Sequence, residues 1–176
     1  MENSNIFYKM SKQVTHIDCP AEFGAIDDYS SHRPLVWAVL EGDKEKHPFA
    51  EFGSGHSTNI FKEYCKHNKR NFESYENDKE WINHTGSTYI DDYKNLNLLM
   101  GYILFIDGKP GEERKSLIEI NKYKHILIIH DTESSSNYVY GMAEVLSTFK
   151  YRVDYCPEGK PWATAVSNFV NIEEWI

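Results

Sequence analysis

A chain of 176 residues with 40% hydrophobic and 14% aromatic content suits one packed domain and excludes intrinsic disorder. Its net charge of −8 speaks against a surface that neutralises duplex phosphates, and no apolar run reaches membrane-spanning length, so neither duplex nucleic acid nor membrane is expected as a partner. The three cysteines, Cys19, Cys65 and Cys156, are odd in number and widely spaced, and the eight histidines form no His-Glu-x-x-His, which excludes a disulfide framework and the common zinc motifs. Residues 1–5 carry no charged-then-apolar leader pattern, so a reduced, cytoplasmic setting is expected.

Residues 1–30 are polar and irregular and read as an extension to a single domain over 31–176. Ser31 or His32 is expected to cap a first helix that tolerates Pro34 in its opening turn and stops at Gly42-Asp43. Phe49–Phe52 reads as a short buried strand running into Gly53-Ser54-Gly55. Ser57 or Thr58 then opens a helix with Ile60, Phe61 and Tyr64 on one face. Lys62, Lys66, Lys69 and Arg70 form its solvated face and C-terminal end, or else a local basic patch. Residues 72–75 are a second strand ending at Glu76. Asn77 or Asp78 caps a short helix carrying Trp81 and Ile82, and 87–90 is a weak third strand.

Residues 102–106, ending at Asp107, and 125–129, ending at His130-Asp131, are continuous apolar runs, the mark of central parallel strands buried on both faces. Between them, 112–123 reads as a helix with Leu117 and Ile118 inward. Tyr138, Met142, Val145 and Phe149 recur at helical spacing. The strands 151–155 and 163–169 are joined by Pro157-Glu158-Gly159-Lys160-Pro161, too short for anything but an antiparallel pair. The predicted architecture is α/β, a Rossmann-like, doubly wound sheet of seven strands, mostly parallel with a C-terminal antiparallel hairpin. Trp162, Phe169 and Trp175 either cover a sheet edge or form an association surface, and the oligomeric state stays unread.

The glycine turn carries the functional argument. Gly53 and Gly55 present no side chain, so backbone N–H groups can approach a ligand closely. An acidic strand end, Glu76, follows 23 positions after Gly53, the spacing at which an open α/β sheet grips a ribose. Position 58 is Thr where the dinucleotide fingerprint has its third glycine, which argues against a nicotinamide oxidoreductase, and no Gly-Lys-Ser/Thr is present. An adenosine cofactor without a pyrophosphate, S-adenosylmethionine, fits better. Ligands in such sheets collect at the carboxyl ends of strands, and four of these ends are polar: Glu51-Phe52-Gly53, Glu76, Asp107-Gly108 and His130-Asp131-Thr132. Each also has a plain reading, Asp107 and Asp131 as turn formers and His130 as a satisfied surface histidine.

Over roughly residues 30–170 the chain resembles the class I S-adenosylmethionine-dependent methyltransferases: Glu51-Phe52-Gly53-Ser54-Gly55 is similar to their motif I, and Glu76 to their ribose-binding acid. Residues 106–114 with 128–131 resemble a subgroup that contains glucuronoxylan and other sugar O-methyltransferases. The resemblance implies S-adenosylmethionine held by Glu51, Gly53, Ser54, Gly55, Ser57, Thr58, Glu76, Asn77 and Asp107. It implies catalysis at His130, Asp107 and Asp131, with His130 the residue type suited to deprotonate a hydroxyl and an aspartate orienting its ring or holding the hydroxyl. Substrate contacts fall to His32, Arg33, Lys109 and Arg114. His32 and Arg33 otherwise only begin the helix, and Arg114 either holds an anionic group by bidentate pairing or bridges acids of its own helix. Asp107 and Asp131 could offer two oxygens to Mg²⁺, but Thr132 stands where metal-dependent O-methyltransferases have Asn, and no protein metal site is assigned. The Asp-Pro-Pro-Tyr type motif of amino-methylating nucleic-acid enzymes is absent. The expected function is therefore O-methylation of a small molecule or saccharide, the alternative being a catalytically silent methyltransferase-fold scaffold.

Overall fold

The structure, a computed structural model, describes residues 11–176 apart from the side chains of Asn137 and Tyr138. The apolar runs form its centre. β5 (Ile103–Ile106) and β6 (Ile126–His130) are buried at every position, as strands covered on both faces must be. β5 pairs in parallel with β6 on one side and with β2 (Phe49–Phe52) on the other. β2 continues to β3 (Phe72–Glu76), and β3 to the two-residue β4 (Thr88–Tyr89), again in parallel. Beyond β6, β8 (Ala163–Ser167) lies antiparallel to both β6 and β7 (Tyr151–Tyr155). The order is β1-β7-β8-β6-β5-β2-β3-β4.

The sheet thus has eight strands, one more than the seven expected. The addition is β1 (Lys12–Val14), which pairs in parallel with β7. Its three residues, Lys-Gln-Val, offer no alternation long enough to read, and the ladder with β7 rather than burial defines it. Residues before 31 also reach the core: Phe23 is 1% exposed and packs edge-on to Tyr64 with ring centroids 5.4 Å apart.

Side-chain alternation along the strands divides the interior into two cores. Phe49, Ile103, Phe105, Ile126 and Ile128 meet Leu35, Val36 and Val39 of α1 (Arg33–Gly42) and Phe61 of α2 (Thr58–His67). Ala50, Phe52, Leu104, Ile106, Leu127 and Ile129 meet Leu117 and Ile118 of α4 (Arg114–Asn121) and Met142, Val145 and Leu146 of α6 (Met142–Leu146). Each such side chain fully buried contributes about 1.5–3 kcal/mol. α3 (Lys79–Thr85) begins as expected, with the Asp78 carboxylate accepting the Glu80 N–H at 2.9 Å. The stripe read as one helix is two, α5 (Ser134–Tyr140) and α6, because Gly141 sits at φ +64° between them. Met142, Val145 and Phe149 face the core, and the Tyr138 side chain lies outside the described residues.

Two expectations change. Arg70 belongs to no basic patch: it is 5% exposed and paired with Asp43 at 2.7 Å. Ser31 and His32 do not cap α1 with their side chains, because both are drawn toward the carboxyl ends of the strands. No helix among the described residues is long and apolar enough to cross a membrane.

Candidate functional site

The carboxyl ends of β2, β3, β5 and β6 converge on a cavity of about 310 Å³, where open α/β sheets keep their ligands. The two glycines of the β2 turn divide the task assigned to both. Gly53 adopts φ +94°, and a Cβ there would lie 2.4 Å from the Gly108 nitrogen. Its bareness lets the β2 turn lie directly on the turn after β5. A Cβ on Gly55 would meet nothing within 4 Å, so Gly55 is the residue that leaves room at the cavity wall.

At one end of the cavity stands Glu76, 4% exposed. Its Oε2 accepts the Ser54 N–H at 2.6 Å and the Ser54 hydroxyl at 3.2 Å, and its Oε1 accepts the N–H groups of Asn77 and Asp78 at 2.9 and 2.8 Å. Three main-chain donors therefore fix this carboxyl group in place. Glu51 lies deeper, its Oε2 accepting the hydroxyls of Ser74 at 2.7 Å and Thr58 at 2.9 Å. Burial pushes its carboxyl up to about 8, more than those two hydroxyls lower it, so Glu51 is protonated at neutral pH.

At the other end Arg114 forks between strands. It donates to Asp107 Oδ1 and Asp131 Oδ2, both at 2.9 Å, and to the main-chain oxygens of His130 and Asp107 at 3.0 and 3.2 Å. It bridges the carboxylates that follow β5 and β6 and none of its own helix. The place between Asp107 and Asp131, where Mg²⁺ was considered, is filled by the guanidinium. Asp131 itself adopts φ +55°, a conformation uncommon outside glycine and characteristic of functional sites under strain.

His130 Nδ1 lies 3.3 Å from Asp107 Oδ2 and 3.6 Å from Asp131 Oδ1, and its Nε2 lies 2.8 Å from Ser31 Oγ. The Ser31 hydroxyl donates to the Asp28 carbonyl at 3.1 Å, which leaves its oxygen to accept from His130 Nε2–H. Burial alone would lower the His130 pKa, but the Asp107 carboxylate holds it above its ordinary value. Burial alone would raise Asp107, and the neighbouring His130 and Arg114 instead hold it below the usual carboxylate range. His32, 2% exposed, packs its ring 4.5 Å from Phe105 and 4.6 Å from His130. Its Nε2 is 3.0 Å from Ser57 Oγ, which also accepts from Arg33 Nε at 2.9 Å. Its Nδ1 has no hydrogen-bond partner among the described residues. Burial, then the nearby His130, push its pKa well down, so the ring is neutral.

Of the residues singled out in the sequence, His32, Glu51, Gly53, Ser54, Gly55, Ser57, Glu76, Asp107, Lys109, Arg114, His130 and Asp131 line the cavity. Arg33, Thr58 and Asn77 stand behind it: Arg33 anchors Ser57, Thr58 joins Glu51 to the Gly55 N–H, and Asn77 donates to the Lys109 carbonyl at 2.7 Å. Sequence reasoning missed an aromatic rim of Tyr29, His56 and Trp81, with centroids 6.1 and 5.1 Å apart in turn. Trp81 was legible as a residue of the first turn of α3, next to Glu76. Tyr29 and Ser31 lie where the chain has no periodicity, and only the tertiary fold brings Tyr29 to His56 and Ser31 to His130.

A mostly parallel sheet with one inserted antiparallel strand and a cavity at the carboxyl ends defines a methyltransferase-like α/β fold. The solved structures agree. The METTL16 MTase domain superposes with a TM-score of 0.59 at 16% identity, covering 89% of this chain and 74% of that one. The N-terminal domain of human METTL16 in complex with SAH gives 0.54 at 14%, covering 89% and 76%. The hMettl16 catalytic domain in complex with MAT2A 3′UTR hairpin 1 gives 0.55 at 12%, covering 88% and 75%. The sequence matches no protein-family profile and no curated protein. These neighbours lend no support to the sugar O-methyltransferase subgroup. The hairpin complexes overturn the expectation of a small-molecule or saccharide acceptor without duplex nucleic acid. The physical flaw lay in reading net charge as a surface map, since folded RNA is recognised by shape and local contacts as much as by overall field.

Proposed function

We propose that this protein is an S-adenosylmethionine-dependent methyltransferase acting on a folded RNA. The observation that carries the reading is the single cavity spanning Glu76 at one end and the Asp107–His130 pair at the other, at the sheet edge where this fold takes ligands. Glu76 receives the ribose hydroxyls, one of them replacing its longest contact, the 3.2 Å bond from the Ser54 hydroxyl. Gly55 leaves space for the cofactor beside the β2 turn, and the sulfonium methyl points toward the His130 end. The hairpin-bound and SAH-bound neighbours support both the cofactor and the class of acceptor.

Methyl transfer from a sulfonium is an in-line displacement, and aligning nucleophile, methyl and sulfur removes much of its barrier. Asp107, His130 and Asp131 form the catalytic group in this reading. A histidine with an aspartate at Nδ1 suits a hydroxyl acceptor, whose proton must leave as the methyl arrives, once the ring is neutral and the hydroxyl has taken the place of Ser31 at Nε2. The loop after β5, Asp107-Gly108-Lys109-Pro110, lacks the paired prolines of amino-methylating enzymes, and a ribose hydroxyl of the RNA is the acceptor that fits both observations. Lys109 at the cavity wall supplies a cation for the adjoining phosphate.

Calorimetry with S-adenosylmethionine and S-adenosylhomocysteine tests the first half: saturable binding is expected, and no heat at millimolar cofactor removes the proposal. Labelled methyl transfer to pooled RNA, followed by nucleoside digestion, tests the second. Label in ribose-methylated nucleosides is the expected result, label in base-methylated nucleosides overturns the hydroxyl assignment, and no transfer to RNA overturns the acceptor class. His130→Ala is expected to abolish transfer while leaving cofactor affinity within about threefold.

A further inference from the structure

His32 enters no step of the transfer reaction, yet it is a buried imidazole whose Nδ1 has no hydrogen-bond partner among the described residues. Such an atom inside a protein needs an explanation. One ring nitrogen of His32, one of His130 and a carboxylate oxygen of Asp107 all lie within 4.8 Å of one another. We propose that these three residues form a binding site for a divalent first-row transition-metal ion, held by Nδ1 of each imidazole and by Oδ2 of Asp107 in place of the His130–Asp107 hydrogen bond, a metal-loaded state in which His130 does not serve as the base.

Four observations carry this. First, the outer nitrogens are already engaged as they are around bound metals. Ligating histidines characteristically give their second N–H to an oxygen that fixes the ring, and here the Nε2 atoms of His32 and His130 are 3.0 and 2.8 Å from the hydroxyls of Ser57 and Ser31. Both serines are themselves anchored, Ser57 by Arg33 and Ser31 on the Asp28 carbonyl. Second, the 3.3 Å between His130 Nδ1 and Asp107 Oδ2 is long for a charge-assisted hydrogen bond and close to the roughly 3.0–3.4 Å that separates two donors each about 2.1 Å from one ion. A ring nitrogen of His32 lies at most 4.8 Å from the other two donors, so the ring must move or turn to bring Nδ1 to that donor spacing.

Third, Asp107 uses Oδ1 for Arg114 and keeps Oδ2 on the histidine side, so the carboxylate has the outer partner that ligating acids usually have. Fourth, the donor set has a recognisable chemistry. Two imidazoles and one carboxylate prefer Zn²⁺, Co²⁺ or Fe²⁺ to Mg²⁺, and three protein ligands leave positions open to the cavity. That is the pattern of a reactive rather than a structural metal.

A second trio, Asp43, His47 and His125, also groups ligating atoms, but it lacks these features. Its two rings stack at 3.8 Å and 24°, so their in-plane lone pairs do not converge. It serves as the internal control.

The test uses the whole chain, stripped of metal with a chelator and titrated with Co²⁺ under visible absorption. One equivalent with the d–d bands of a low-coordinate nitrogen–oxygen site is expected. His32→Gln is expected to weaken binding at least 100-fold, and His47→Gln/His125→Gln to leave it unchanged. Because His32→Gln itself can fail to fold, the unmodified cobalt protein is also read by proton NMR, where two exchangeable, hyperfine-shifted imidazole N–H signals are expected. No bands with stoichiometric cobalt, bands lost only in the His47/His125 variant, or a spectrum without two shifted N–H signals each overturn the site. S-adenosylhomocysteine affinity measured on the same samples separates this inference from the transferase reading: cofactor binding without cobalt removes only the metal, and cobalt without cofactor only the transferase.

Discussion

Two buried arginines hold opposite ends of the same sheet, and they do so differently. At the amino ends of the strands Arg70 donates to Asp43 Oδ2 at 2.7 Å and to the main-chain oxygens of His47, Leu40 and Asp43. Its side chain and that of Asp43 are each 2% exposed. At the carboxyl ends Arg114 is nearly as buried, at 6%, but its two aspartates are 26% and 27% exposed and face the cavity. One cluster is closed on main chain and serves the fold. The other uses the same residue types to keep two charges presented to whatever enters. The number of buried charges does not separate them; access to the acidic partner does.

That contrast can be broken by replacing each arginine with leucine. Arg70→Leu leaves Asp43 buried with only His47 as its partner and is expected to cost about 3–5 kcal/mol, the usual penalty for half of a buried pair. Arg114→Leu is expected to cost less, about 1–3 kcal/mol, because water in the cavity can reach Asp107 and Asp131. Urea unfolding of both proteins measures the difference, and equal losses would remove the distinction drawn here. Gly53→Ala sharpens it from the backbone side. With φ +94° and a Cβ 2.4 Å from Gly108 nitrogen, alanine must part the β2 and β5 turns, an expected loss of about 2–4 kcal/mol, whereas Gly55→Ala should leave stability within about 0.5 kcal/mol and act only on ligand affinity.

The last expected effect concerns Glu51 and appears only at alkaline pH. Its carboxyl is raised by burial to about 8 in the folded chain, against an ordinary value near 4.5, and Asp107 and Glu76 add to the rise. The folded protein then holds a proton that the unfolded chain releases between those values, so this group's contribution is complete below pH 4.5 and declines as pH rises through 8. Glu51→Gln should unfold close to the wild-type temperature at pH 5 and roughly 10 °C above it at pH 9. A gain of the same size at both pH values would show Glu51 ionised throughout.

The parts of this molecule legible in the sequence are those set by local chemistry. Ile103–Ile106 and Ile126–His130 had to be central strands because nothing in them tolerates water, and the Asp78 cap and the short turn before β8 followed from residues next to one another. The cavity edge was legible too, since strand ends are marked by the residue that breaks the apolar run: Glu76, Asp107, His130. What could not be read depends on pairs distant in the chain. Ser31 meets His130 and Arg70 meets Asp43 only after the sheet forms, and their side chains leave the local roles of helix cap and surface cation to do so. The acceptor was misjudged for a related reason, because summed charge carries no information about position.

The strand β1 carries a consequence for how this protein comes into being. Residues 12–14 leave the ribosome well before their ladder partner among the described residues, Val153 to Tyr155, and they are anchored further by Lys12 reaching the main-chain oxygens of Glu173 and Ile176. During synthesis that segment must wait until β7 has emerged. Until it docks, β7 offers a bare edge on which another nascent copy can dock in its place.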